Sequence, residues 1–232
     1  MHPVDTTTES SSLSKGVLSS ISLEFFEQFI DGALAYARET RGLGDIRAAW
    51  DLFRVWLEPS LNFASEDWRL FVSWYVFHWH PPGNEQKAPE PGASIAERYY
   101  RERMAERYPE LSSLVASGVK NPLDFYEVHF LPEMSCYYVK SLFLGYQYSF
   151  AFETLPEELK IGGVFFGKIL HLGQDRGIIL GHSRSFSVRA KVGIGRLRRD
   201  LVVRRRSDYL EEFWLFDSDV FNLYHDLRQT MH

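Results

Sequence analysis

The chain has 232 residues, 45% of them hydrophobic and 16% aromatic, enough for one large or two small domains with a substantial core. Its longest apolar run, Leu70 to Trp79, is broken by Ser73 and His78 and is too short for a membrane span of about 20 residues, so no membrane partner is expected. The single cysteine, Cys136, excludes an internal disulfide and points to a reducing, cytoplasmic setting, and the net charge of −5 gives no hint of a polyanion ligand until its distribution is read.

In chain order, residues 1–19 (MHPVDTTTESSSLSKGVLS) are polar and rich in Ser and Thr and read as a flexible tail, with neither the charged nor the apolar region of a secretory signal. Residues 20–120 read as a helical domain. Leu23, Phe26, Ile30, Ala33, Leu34 and Ala37 recur at helical spacing after Ser22, and Gly42 stops the pattern. A second stripe, Ile46, Ala49, Trp50, Phe53, Trp56 and Leu57, ends before Pro59. A third helix runs from near Ser65 to His80 with apolar residues on nearly every side, which predicts the buried central helix of this half. A Pro- and Gly-rich loop follows, then a charged helix opened by the capping-box pair Ser94 and Glu97, then a short helix from Pro109 to Gly118.

Beyond Pro122 the period changes from helical to alternating. The segments FYEVHF, CYYVKSLF, YQYSFAF, VFFGKIL and GIIL are short, aromatic and β-branched, and glycines separate them. Five or six strands in about 80 residues predict a small antiparallel β-barrel of OB or SH3 type over residues 121–206. Residues 207–232 return to helical spacing, with Val220, Leu223, Tyr224 and Leu227 as a stripe expected to dock on the helical half. The pattern reaches the last residue without a stop signal, as it would in a piece of a longer protein. The expected fold class is therefore α+β: helical domain, small antiparallel barrel, C-terminal helix.

The charge is polarised. Between Arg184 and Arg206 nine Lys and Arg residues face one acid, Asp200, a balance of +8; the remaining 17 basic and 30 acidic residues carry −13. A basic edge on a small barrel is the electrostatic footprint expected for phosphate or another polyanion. Internal neutralisation by Glu211, Glu212, Asp217 and Asp219, just downstream, is the competing expectation.

Other candidates point away from chemistry. His78 and His80 share a His-x-His spacing, but on a helix their side chains diverge by about 200°, so a helix-end cap and a surface residue are expected. His171, His182, Asp175 and Glu153 have no spacing that forces them together. Cys136 reads as a buried, inert thiol. Glu97, Glu102 and Glu106 read as solvated partners of neighbouring arginines. Gly193 and Gly195 lack the strand, third glycine and helix of a dinucleotide loop. No catalytic residue, metal site or cofactor is assigned.

Two resemblances can be stated on named residues. The order DWRLFVSWYVFHW, SIAERYYRE, LDFYEVHFLPEMSCYYVKSLFLGYQYSF and LKIGGVFFGKILHLGQDRGIILGH, from Glu66 to Val188, resembles the N-terminal region of uncharacterised bacterial proteins that often carry a SEC-C zinc motif. That motif needs several cysteines. With Cys136 alone, the resemblance implies neither a zinc site nor an activity here. Within the same block, Leu159 to Ile169 followed by Gly177-Ile178-Ile179 is similar to the opening hairpin of S1-type OB-fold barrels, which implies binding of single-stranded nucleic acid.

The leading expectation is a non-catalytic interaction module that binds RNA or single-stranded DNA. Lys168, Arg184, Arg189, Lys191, Arg196, Arg198 and Arg199 would contact phosphates, and Tyr146, Tyr148 and Phe165 would stack on bases. The alternative is a protein-interaction or self-assembly domain, binding a protein partner or forming a homodimer, in which an aromatic surplus (6 Trp, 12 Tyr, 18 Phe) anchors an interface. An enzyme with a site assembled only in three dimensions is the third reading.

Overall fold

A computed structural model describes residues 23–57, 67–79, 94–134, 136–143, 145, 147–151, 155–173, 176–205 and 217–229. The chain is a mixed helix and sheet protein, helical at its start and closed by a helix at its end. Helix α1 (Leu23–Thr40) buries Phe26, Phe29, Ala33, Tyr36 and Ala37, the stripe its spacing dictates. Gly42, at φ +78°, takes the left-handed conformation that turns the chain into α2 (Gly42–Leu57), where Ala49, Trp50 and Phe53 face inward. Helix α3 (Asp67–His78) is the central helix expected, with every side chain from Leu70 to Phe77 buried.

The charged segment begins as α4 (Ile95–Tyr99), whose capping box is complete: the Ser94 hydroxyl accepts from the Glu97 amide, and the Glu97 carboxylate accepts from Ser94 N–H. It widens into a π turn over Tyr100–Met104. Glu102 is not simply solvated, because it accepts a 2.8 Å hydrogen bond from the Tyr36 hydroxyl; Arg103 pairs with Glu39 on α1 at 3.1 Å. A 3-10 turn (Pro109–Leu111) leads into α5 (Ser112–Lys120).

Five strands follow: β1 (Asp124–Leu131), β2 (Cys136–Ser141), β3 (Gln147–Ala151), β4 (Val164–Gly173) and β5 (Arg176–His182). Antiparallel ladders join β3 to β2, β2 to β1, β1 to β4 and β4 to β5. Among the described residues β3 and β5 also share one parallel pair, Ser149 with Arg176. Cys136, at the start of β2, is half-buried rather than buried.

The period of two along β4 explains how one sheet serves two cores. Val164, Phe166 and Leu170 face the helices, while Phe165 and Ile169 point to the opposite face. On β1 the alternation is the same, with Phe125 toward the helices and Tyr126 and Val128 away from them. The helix-side core is continuous from Phe26 and Trp50 through α3 to Phe166, so helices and sheet share one apolar interior. The second core is small and lies in the concavity of the sheet, where Tyr126 stacks on Phe165 at 5.3 Å and meets Tyr148 edge-on at 6.1 Å.

The basic run departs from expectation. It is not an edge of the sheet but a helix, α6 (Ala190–Arg205). The glycines at 193 and 195 and the dense arginines hide a sparse helical stripe, Ala190, Ile194 and Leu197, which packs inward and overrides weak local propensity. The last helix, α7 (Asp217–Gln229), docks as expected and does more than that. Phe221 meets Phe53 at 5.2 Å and Trp74 at 6.2 Å, both in edge-to-face geometry, while Tyr224 stacks on Phe166 at 4.6 Å. It therefore closes the seam between helices and sheet. Because Tyr224 is 2% exposed and touches both layers, Tyr224→Ala is expected to cost about 3 kcal/mol, read as a lower midpoint in urea denaturation with an unchanged slope.

Candidate functional site

The residues first considered for a basic, stacking surface fall into three groups. Lys168, Tyr148 and Phe165 are inside the protein, at 0%, 2% and 0% exposure, and are thereby withdrawn from any ligand. Tyr146 lies outside the described residues. Lys191 and Arg198 are on α6 and each bonds to the body, although Arg198 stays exposed: the Lys191 ammonium pairs with the Glu127 carboxylate of β1, and Arg198 Nε donates to Phe143 O at 3.0 Å. Arg184, Arg189, Arg196 and Arg199 are exposed.

Helical geometry separates the second group from the third. Residues 189, 192, 196 and 199 succeed one another at intervals of three and four, so they share one face of α6 and the turn that leads into it. That turn is held by Lys191 N–H donating to Val188 O and Val192 N–H to Arg189 O, both at 3.1 Å. The opposite face carries Ala190 and Ile194 into the core. Val188 and Val192 are 57% and 60% exposed and lie among the arginines. Among the described residues neither Arg189 nor Arg196 has a carboxylate partner, and Arg199 folds back along its own helix, Nε donating to Gly195 O at 3.3 Å. The outer face of α6 is therefore a patch of guanidinium groups and small apolar side chains on a helix fixed from behind. Asp200 is the one acid within α6. Glu211 and Glu212, considered as neutralising partners, lie outside the described residues.

Two interior glycines weaken α6 by about 1 kcal/mol each relative to alanine. At Gly193 an added Cβ would be in ordinary contact with Leu223 of α7, 3.6 Å away, whereas at Gly195 it would meet nothing within 4 Å.

Lys168, withdrawn from the surface, has a different task. Its side chain leaves β4 on the helix side and ends between α3 and α5. There its Nζ lies 2.7 Å from His78 Nε2, donates to the carbonyls of Gly118 and Asn121, and sits 5.0 Å above the Phe77 ring. Those carbonyls belong to the last turn and C-cap of α5, where an ammonium satisfies acceptors that the helix leaves without donors and complements its dipole. At Gly118 a Cβ would come 2.3 Å from the Phe77 ring, so only glycine lets α5 approach α3 this closely. His78 is therefore neither a cap of its own helix nor simply a surface group. His80 is outside the described residues.

Elsewhere polar groups are tied up in structure. Asp124, fully buried, accepts from the Ser141 hydroxyl and from Phe125 N–H at 2.6 Å. Asp45 accepts from the Tyr75 hydroxyl at 2.8 Å and Trp79 Nε1 at 3.1 Å. His171 meets Tyr148 edge-on and His182 meets Phe165, 5.6 and 6.4 Å between ring centres, while Asp175 and Glu153 lie outside the described residues. Among the described residues no three His, Cys, Asp or Glu converge as metal ligands, and no helix is long and apolar enough to cross a membrane. Between α1, α2 and α3 lies an apolar cleft of about 820 Å³ walled by Leu34, Leu43, Ile46, Trp50 and Trp68, beside a smaller one of about 310 Å³ that reaches Arg69 and Leu180.

No protein-family model, curated protein or solved structure matches the chain.

Two outcomes follow for the buried polar groups. Lys168→Met keeps the length of the side chain but leaves Gly118 O and Asn121 O without their donor, and a loss of about 3 kcal/mol is expected in urea unfolding. A loss of under about 1 kcal/mol would show that the ammonium is not what joins α5 to β4. The Tyr126 phenol is held well above its ordinary pKa, first by burial and then by the nearby Asp124 carboxylate and Tyr148. Its proton is retained when folded but lost from the unfolded chain above about pH 10, so the unfolded state binds fewer protons there and stability falls as pH rises. The decline in the urea midpoint between about pH 9 and 11 is expected to be shallower in Tyr126→Phe.

Proposed function

We propose that the protein is an interaction module that binds nucleic acid through phosphate contacts on the outer face of α6, with the curled sheet as a small closed barrel that carries this helix. The reading rests on one observation: Arg189, Arg196 and Arg199 are exposed on one helix face, and among the described residues none of them is neutralised by a carboxylate. Charge polarisation in the sequence supports it, since a basic element on an otherwise acidic protein orients a polyanion toward one side. The similarity of the β4–β5 hairpin to OB-fold barrels supports it more weakly, because a fold alone does not fix a function. A cytoplasmic setting, where nucleic acid is available and a lone thiol stays reduced, accords with the reading.

The alternative, assembly through an aromatic surface, has no support from the described residues. Among the described residues no Phe, Tyr or Trp is an exposed large hydrophobic; those are Leu43, Leu52, Met134, Ile161, Val188 and Val192. The aromatic residues described here are largely spent on two cores.

The deciding measurement is binding of labelled RNA and DNA oligonucleotides at low and moderate ionic strength. The wild-type chain is expected to bind, and affinity to fall steeply with salt as counterions are recaptured. Arg196→Glu together with Arg199→Glu is expected to weaken binding by about tenfold or more while leaving the urea midpoint nearly unchanged, because both side chains are exposed. Binding that is absent at low salt, or indifferent to this double reversal, would remove the proposal.

A further inference from the structure

Resting on that reading of α6, we infer that its ligand is duplex DNA, held by the backbone with α6 laid in the major groove. The sequence predicts a single strand as ligand, with Tyr146, Tyr148 and Phe165 as stacking residues. Proteins that hold single strands without sequence preference depend on aromatic platforms for the bases. Here Tyr148 and Phe165 are interior, and among the described residues no aromatic side chain is an exposed large hydrophobic. What α6 offers is guanidinium groups, suited to phosphates, and two small apolar side chains.

Shape narrows the ligand further. The 16 residues of α6 make a rod about 24 Å long and about 10–12 Å across, which the major groove of B-form DNA, about 12 Å wide, admits. The deep, narrow major groove of A-form RNA does not. From Arg189 to Arg199 the face extends about 15 Å along the axis, enough for its arginines to reach phosphates on both walls of such a groove. Val188 and Val192, exposed between them, can lie against thymine methyl groups.

Gly195 fits the same arrangement. It lies three residues after Val192 and four before Arg199, on the outward face, and no neighbouring atom among the described residues explains the missing side chain. A residue unfavourable to the helix at the place where the charged face would touch a ligand allows the helix backbone to approach the groove closely. Behind it, Lys191 and Arg198 fasten α6 to β1 and to Phe143, so the face is presented without the helix having to move.

The test uses the full chain and fluorescence anisotropy with a 20-base-pair DNA duplex of arbitrary sequence, one of its single strands, and the matching RNA duplex, with phosphatidylserine vesicles as a further anionic surface. The DNA duplex is expected to bind about tenfold or more tightly than the other nucleic acids, with a log–log salt slope near −3 for about three phosphates. Gly195→Ala is expected to raise the melting temperature, as a better helix former, yet to weaken duplex binding by about fivefold. Equal affinity for strand and duplex, or a Gly195→Ala protein that is stabilised and binds duplex unchanged, overturns the inference and leaves the nucleic-acid reading standing. Absence of binding to every nucleic acid overturns both, and vesicle binding in that case would assign the face to membranes.

Discussion

The side chain of Lys168 joins at one point three elements that otherwise share only apolar contacts. It starts on a strand, passes through the apolar layer and ends on the terminal carbonyls of α5 and the imidazole of His78 on α3. A fully buried ammonium is expensive unless its donors are satisfied, and here three acceptors surround it. The arrangement fixes α5 in both position and direction, because only a helix C-terminus supplies carbonyls in that orientation. Once α5 is fixed, the close contact of Gly118 with Phe77 fixes α3 against it, and α3 is the helix around which α1, α2 and α7 pack.

The sheet obeys a complementary constraint. Strand β4 from Val164 to Leu170 and β1 from Asp124 to Tyr126 are buried on both faces, so their apolar residues must suit one of two interiors: a large core shared with the helices or the small one in the concavity. The dense aromatic content has a physical use in this setting. Phe125, Phe166 and Phe186 on the helix side and Tyr126, Tyr148 and Phe165 on the other fill spaces that aliphatic side chains would leave partly empty. Helix α6, by contrast, contributes little to either core and is held mainly by Ile194 and by the bonds that Lys191 and Arg198 make to the body.

Much of this was legible in the chain, and the exceptions have causes. The all-round apolar helix from Leu70 to Phe77 could only be central, the Ser94–Glu97 capping box marked its helix start, and the alternation of VFFGKIL gave β4 its two faces. What misled was polarity taken as a sign of exposure. Lys168 reads as a surface cation because lysine is almost never fully buried, and nothing local announces that helix carbonyls more than forty residues earlier in the chain will receive it. Tyr148 and Phe165 read as stacking residues because alternation tells that a side chain faces one side of a sheet but not whether that side is filled. The helix of the basic run was hidden by its two glycines. Which of its cations bond to the body could be read only after the helix was known, since Lys191 and Arg196 are told apart by their phase on it.

Among the described residues β3 and β5 are joined by one residue pair, Ser149 with Arg176, whereas every other neighbouring pair of strands is joined by a longer ladder. Local stability follows the number of bonds that must break together, so this seam has the lowest threshold for opening in the sheet. Separation there would part β3 from β5 without disturbing the ladders of β1 or β4, and it would bring water to Tyr148 and Tyr126 before the helix-side core was affected. Opening along this line is therefore the first local unfolding expected of the sheet.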